Sequence, residues 1–191
     1  MKQLDYVATR HALLGCAVLL LQGCMSTHVE PAEGPRAQVR FVSTIGPDVT
    51  NVSVLTYDNE NCENRKLVAA LTGAAVQHNR KKIGMPLAGD FQDRDITEAY
   101  VRAGSPLVYS MSIWTGSIYS EVATCRVTMT FVPAADQMYE SYFVANRERC
   151  GVDVKRLERS GDSYVRVDEP TARKGAHRCS IDGMERETAG N

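Results

Sequence analysis

Short runs in which apolar and polar residues alternate, separated by turn-forming residues about every ten positions, most narrow what this chain can fold into. The clearest is Glu121–Val132, EVATCRVTMTFV, where Cys125, Val127, Met129 and Phe131 alternate with Arg126, Thr128 and Thr130. A two-residue period puts one set on a dry face and the other on a wet one, the pattern of an antiparallel sheet. Gln38–Thr44 and Asn51–Tyr57 are expected to pair as a hairpin across Ile45-Gly46-Pro47-Asp48. Ile96–Ala103 and Pro106–Trp114 follow, split by Gly104-Ser105-Pro106, then Gln137–Asn146, and a last hairpin of Gly151–Glu158 with Ser163–Asp168 around Arg159-Ser160-Gly161-Asp162. Lys66–His78 is the one stretch whose composition suits a helix, with Leu67, Ala70, Leu71 and Ala74 at helical spacing, although Gly73 costs it about 1 kcal/mol and a small-residue loop is the alternative. Seven or eight short strands and at most one helix predict a mainly β, antiparallel sandwich of immunoglobulin- or transthyretin-like kind, rather than a βαβ fold.

A different signal opens the chain. Lys2 and Arg10 precede the apolar run Ala12–Leu21, which is too short to span a bilayer and has the length of a signal-peptide core. It ends on Leu21-Gln22-Gly23-Cys24, which resembles the lipobox of bacterial envelope lipoproteins. That resemblance implies cleavage before Cys24 and acylation of its thiol, and several acyl chains anchor stably where one is marginal. Met25 stands where the inner-membrane retention signal of that family is Asp, so the expected address is the outer membrane, facing the periplasm, with surface exposure the other option. The expected organisation is a signal peptide over 1–23, a flexible polar tether over 24–36, a β-sandwich over 37–184 and a frayed tail over 185–191. His28, in the tether, is expected to be exposed.

Removing residues 1–23 from the 191-residue chain leaves 168, enough for one domain with a core. Lys2, Arg10 and Asp5 go with them, so 22 basic and 23 acidic residues become 20 and 22, a net charge of −2. Nucleic-acid binding needs a basic stripe that this balance does not supply. Four cysteines remain after Cys24: Cys62, Cys125, Cys150 and Cys179. In an oxidising compartment an even set predicts two disulfides with three possible connectivities. The favoured one is Cys150–Cys179 with Cys62–Cys125. A zinc site is disfavoured because no C-x-x-C pair occurs, and Asp90–Asp95, DFQDRD, lacks the spacing and central Gly of a calcium loop. No metal or cofactor is expected. Arg80-Lys81-Lys82 reads as a solvated turn rather than an anion contact.

Hydrolase chemistry finds no support in G-x-S-x-G, S-x-x-K or H-E-x-x-H, none of which occurs. His78 and His177 have no evident nucleophile or carboxylate beside them. Ser160-Gly161-Asp162-Ser163-Tyr164 and Lys174-Gly175 resemble the S-G-x-x-Y … K-G signature of C-type lysozyme inhibitors, with Arg173 where that signature has an aromatic residue. The resemblance implies a loop over Ser160, Gly161, Tyr164 and Lys174 that opposes catalytic carboxylates of a lysozyme-like enzyme. The arrangement Phe131-Val132-Pro133 … Tyr139 is similar to the tyrosine corner of Greek-key sandwiches, whose hydroxyl bonds back to the turn. The preferred function is a non-catalytic, lipid-anchored module that binds a protein or cell-wall partner, with Trp114 and Tyr119 as candidate contacts. The inhibitor and an unrecognised hydrolase are the alternatives.

Overall fold

A computed structural model describes residues 26–45, 51–71, 80–114, 125–146, 149–175 and 179, with the side chains of residues 51 and 114 outside that description. The described residues form ten strands: β1 (Arg36–Ser43), β2 (Asn51–Tyr57), β3 (Lys66–Leu71), β4 (Ile96–Arg102), β5 (Leu107–Trp114), β6 (Arg126–Phe131), β7 (Met138–Ala145), β8 (Cys150–Ser160), β9 (Ser163–Asp168) and β10 (Arg173–Lys174). They build two five-stranded sheets, β4-β1-β7-β8-β9 (sheet I) and β10-β6-β5-β2-β3 (sheet II). Every ladder is antiparallel except β1 with β7, which is parallel. The expected sandwich is therefore present, with more strands and one parallel pairing.

The core forms where the inward sets of the two sheets meet. Val39 and Phe41 of β1, Tyr139 and Phe143 of β7, Val52 and Val54 of β2, and Tyr109 and Met111 of β5 are all buried there. An aromatic chain crosses the interior, from Phe41 to Tyr109 (5.3 Å between centroids), Tyr109 to Phe131 (6.2 Å) and Phe131 to Tyr139 (5.0 Å). The Tyr109 hydroxyl, buried between the sheets, meets Ser141 Oγ at 2.7 Å, and burial pushes its pKa above the ordinary tyrosine value. Tyr139 behaves as a tyrosine corner. Its hydroxyl accepts the Ala134 N–H at 2.9 Å, pinning the turn by which the chain leaves β6 in sheet II for β7 in sheet I.

Several expectations are corrected. Lys66–Leu71 is a strand rather than the start of a helix, and 72–78 lies outside the described residues. The register against β2 slips between Val54 and Leu55, where Ala69 and then Leu67 are the successive partners, so Val68 is an extra residue. That bulge breaks the two-residue period. Leu67 packs on the outer side of sheet II with Leu55 and Tyr57, while Val68, Ala69 and Leu71 face the core, and the interrupted spacing imitates a helix. The first two strands are not a hairpin: β1 and β2 belong to different sheets.

The described part of the predicted tether, from Ser26 onward, is a docked strap. Ser26 C=O accepts the Leu67 N–H (2.8 Å), the His28 N–H donates to Leu67 C=O (2.8 Å), and Thr27 forms a parallel bridge with Leu67. His28 is not free in solvent: its ring nitrogens meet Thr56 Oγ1 and Tyr100 C=O, each at 3.2 Å. Glu30 takes the Tyr100 N–H (3.2 Å) and the Lys81 ammonium (2.6 Å). A polar segment with little apolar surface stays ordered here because β3 and β4, one edge of each sheet, expose unpaired backbone groups that it satisfies.

All four cysteines pair, but as Cys62–Cys179 and Cys125–Cys150. The expected Cys150–Cys179 and Cys62–Cys125 bonds are ruled out by position. Cys125 precedes β6 and Cys150 begins β8, strands that face each other across the core, and their Cα atoms are 5.6 Å apart. Cys179 is carried to the outer side of sheet II, where its N–H donates to Thr128 Oγ1 and it packs beside Leu55, Tyr57 and Val108, with Cys62 5.3 Å away.

Candidate functional site: a charge ladder beneath an aromatic groove

The outward face of sheet I carries the most unusual chemistry in the molecule. Arg40 lies in the middle of β1, between the inward Val39 and Phe41, and should by alternation face water. Glu98 of β4 and Glu140 of β7 stand directly opposite it in its two ladders. The side chains of all three are 0% exposed. Arg40 Nε and Nη2 donate to Glu98 Oε1 at 2.9 and 2.7 Å, Nη1 donates to Glu140 Oε1, and Nη2 also donates to Met85 C=O at 2.9 Å. Glu98 Oε2 accepts the N–H groups of Ile83 (2.6 Å), Gly84 (3.1 Å) and Met85 (3.3 Å). Successive amides converge on one oxygen only where the backbone turns sharply, and Gly84, at φ 89°, supplies that turn.

The ladder continues outward. Arg166 of β9 donates from Nε to Glu140 Oε2 (2.6 Å) and from Nη2 to Glu140 Oε1 (3.4 Å) and Asp90 Oδ2 (2.8 Å), and the Tyr142 hydroxyl donates to Glu140 Oε2. Charges thus alternate from Glu98 through Arg40, Glu140 and Arg166 to Asp90. Removing an ion from water costs several kcal/mol, and pairing on more than one side offsets that cost. The Phe91 ring sits between the two guanidiniums, 5.5 Å from Arg40 Cζ and 5.6 Å from Arg166 Cζ, and tilts against Tyr142 at 6.0 Å. Phe91 is held there by two single-turn 3-10 helices, Ala88–Asp90 and Asp93–Asp95, on either side of it.

Over the ladder opens a groove of about 440 Å³, lined mainly by apolar surface of Phe91, Tyr142 and Val144 and rimmed by Thr44, Asp90, Asp153, Lys155 and Arg166. The hydrogen bond to Glu140 raises the Arg166 pKa further above its ordinary value, against the opposing effect of burial, and Asp90 adds to it. Burial first, and then the hydrogen bond to Glu140, raise that of Tyr142. Both groups therefore keep their protons at any physiological pH and act as fixed donors. The rim charges are paired as well: Lys155 with Asp168, and Arg149 with both oxygens of Asp153 at 2.6 and 2.8 Å. A second depression of about 660 Å³ lies between the strap and β4, but Glu30, Lys81 and Glu98 at its walls are already bonded as described above.

The residues singled out from sequence fall elsewhere. Cys24 and Tyr119 lie outside the described residues, and Trp114 ends β5 opposite Asn51. Ser160 and Gly161 form the tip of the β8–β9 hairpin, Gly161 at φ 62° in a two-residue turn. Tyr164 pairs with Arg159 in sheet I, whereas Lys174 pairs with Met129 in sheet II. His78 and His177 are outside the described residues. Asp90 and Asp93 are taken by Arg166 and Lys82, and among the described residues no group of three or more His, Cys, Asp or Glu is placed to hold a metal. Arg40, Glu98 and Glu140 escaped the sequence reading because each looks like an ordinary wet-face residue until the register brings them together. Comparison with known proteins found no match to this chain among family models, curated sequences or solved structures.

Proposed function

We propose that this chain is an exported, lipid-anchored envelope protein, facing the periplasm from the outer membrane, whose sandwich binds a partner without transforming it. The observation that carries the reading is the groove over the ladder. Its aromatic floor offers rigid contact area within a rim of charges fixed by their pairs, while Arg166 and Tyr142 are held protonated and so are unsuited to proton transfer near neutrality. Phe91 and Tyr142 are the kind of rigid aromatic surface that dominates recognition energetics. The pairing of Cys62, Cys125, Cys150 and Cys179 supports an oxidising compartment, in keeping with the lipobox at Leu21–Cys24.

The test has two readouts on protein taken from its own membranes. Mass spectrometry of the amino-terminal peptide is expected to show an acylated Cys24, and an unmodified terminus or an intact leader overturns the anchor. Cross-linking in cells is expected to capture a partner with the wild-type chain and to lose it with Phe91→Ala. Equal capture by a folded Phe91→Ala variant overturns the groove as the binding surface.

A further inference from the structure

The strap leaves no slack between anchor and domain. Ser26 is already bonded into the edge of sheet II through Leu67, and one residue, Met25, separates it from Cys24. Two consecutive peptide units reach at most about 7 Å between their outer Cα atoms. Thr27 and Leu67 pair in parallel, so at Ser26 the chain heads toward the end at which β3 begins, at Lys66. The same end carries the β2–β3 loop, the turn between β4 and β5, and the β8–β9 hairpin, because Arg36 faces Arg102 there and Met138 runs level with Gln38. Trp114 and Asn51 mark the opposite end, about 23 Å away along β5 at the usual rise per residue.

We propose that the Lys66 end of the sandwich rests directly on a phospholipid surface, so that the domain is held upright and flush rather than swinging on a tether. This rests on acylation of Cys24 as read above. The occupant of that end is the headgroup layer, since an acyl chain rooted within about 7 Å of Ser26 reaches the hydrocarbon only where the surface around Ser26 touches the interface, and the parallel pairing of Thr27 aims the chain at Ser26 toward this end. Two things follow. The Ser160–Gly161 hairpin points toward the bilayer, away from any enzyme in the bulk periplasm. The backbone of Trp114 lies at the far end, and the groove of Phe91 and Tyr142 opens sideways, parallel to the membrane.

The chain itself supplies the reporters. After Cys24 its lysines are Lys66, Lys81, Lys82, Lys155 and Lys174. Lys66 and Lys155 are matched, each with a side chain 33% exposed and paired with an aspartate, Asp58 and Asp168 respectively. The lipoprotein is reconstituted into vesicles of phosphatidylethanolamine and phosphatidylglycerol and its lysines are acylated with a membrane-impermeant reagent. A second form carries a flexible Gly/Ser spacer of about ten residues between Met25 and Ser26, which adds roughly 17 Å of reach. Lys66 is expected to react several-fold more slowly in the native form than in the spacer form, with Lys155 and Lys82 unchanged between them. Equal Lys66 rates in two forms that both carry acylated Cys24 overturn the flush arrangement and leave the anchor standing. Absence of the acyl group on Cys24 by mass spectrometry removes the anchor and this inference with it.

Discussion

Arg40 is surrounded by carboxylate oxygens and a carbonyl, and what happens when it is removed shows how the ladder is balanced. Arg40→Leu leaves Glu98 and Glu140 buried together with no cation between them. It is expected to lower stability by about 3–5 kcal/mol, read as a fall in the urea midpoint at constant slope. Gly84→Ala tests the cradle around Glu98 Oε2 from the backbone side. Nothing lies within 4 Å of where its Cβ would go, so the expected loss of about 1–2 kcal/mol comes from holding an L-residue at φ 89° alone. Neither role is legible in the local sequence. Arg40 within QVRFVST reads as a solvent-facing position of a half-buried strand, and only the two ladders that flank β1 show that its outward face is covered.

At the scale of elements, the strap and the crossover turn are the pieces whose chemistry can be switched. Burial works to raise the Glu30 carboxyl, but the Lys81 hydrogen bond, the Tyr100 N–H and the charges of Lys81 and His28 outweigh it and hold it below its ordinary range. A carboxyl depressed on docking stabilises the docked strap above its undocked pKa and loses that contribution as pH falls through the docked value. Exchange of the Leu67 amide, which donates to Ser26, is therefore expected to be slower in the wild type than in a Glu30→Gln variant at neutral pH, where the wild type is better held. The two are expected to converge below the ordinary carboxylate range. Tyr139→Phe removes the acceptor for the Ala134 N–H and is expected to cost about 1 kcal/mol in thermal or urea unfolding. The tyrosine corner was readable in sequence because it is local, five residues from donor to acceptor. The strand at Lys66–Leu71 was not, because a bulge at Val68 disturbs the period that identifies strands.

For the whole molecule, the two disulfides divide the work of constraining the chain. Cys62–Cys179 spans 117 residues and Cys125–Cys150 spans 25. In the chain-entropy picture these contribute about 5 and about 3.5 kcal/mol. Replacing Cys62 and Cys179 with Ala is expected to lower the melting temperature more than replacing Cys125 and Cys150, and the reverse order in calorimetry contradicts a mainly entropic role. By itself the sequence determined the fold class, the near-neutral charge, the even cysteine count and the run Leu21-Gln22-Gly23-Cys24 that resembles a lipobox. These follow from composition and short-range pattern, where each residue's neighbours along the chain carry the information. Only the tertiary structure decided which cysteines meet, that the strap from Ser26 docks along β3 and β4, and that Arg40, Glu98 and Glu140 share one dry face under Phe91. Each of these depends on strand order and register, which bring together cysteines 117 positions apart. Alternation along one strand says which way a side chain points, but not what another part of the chain lays over it.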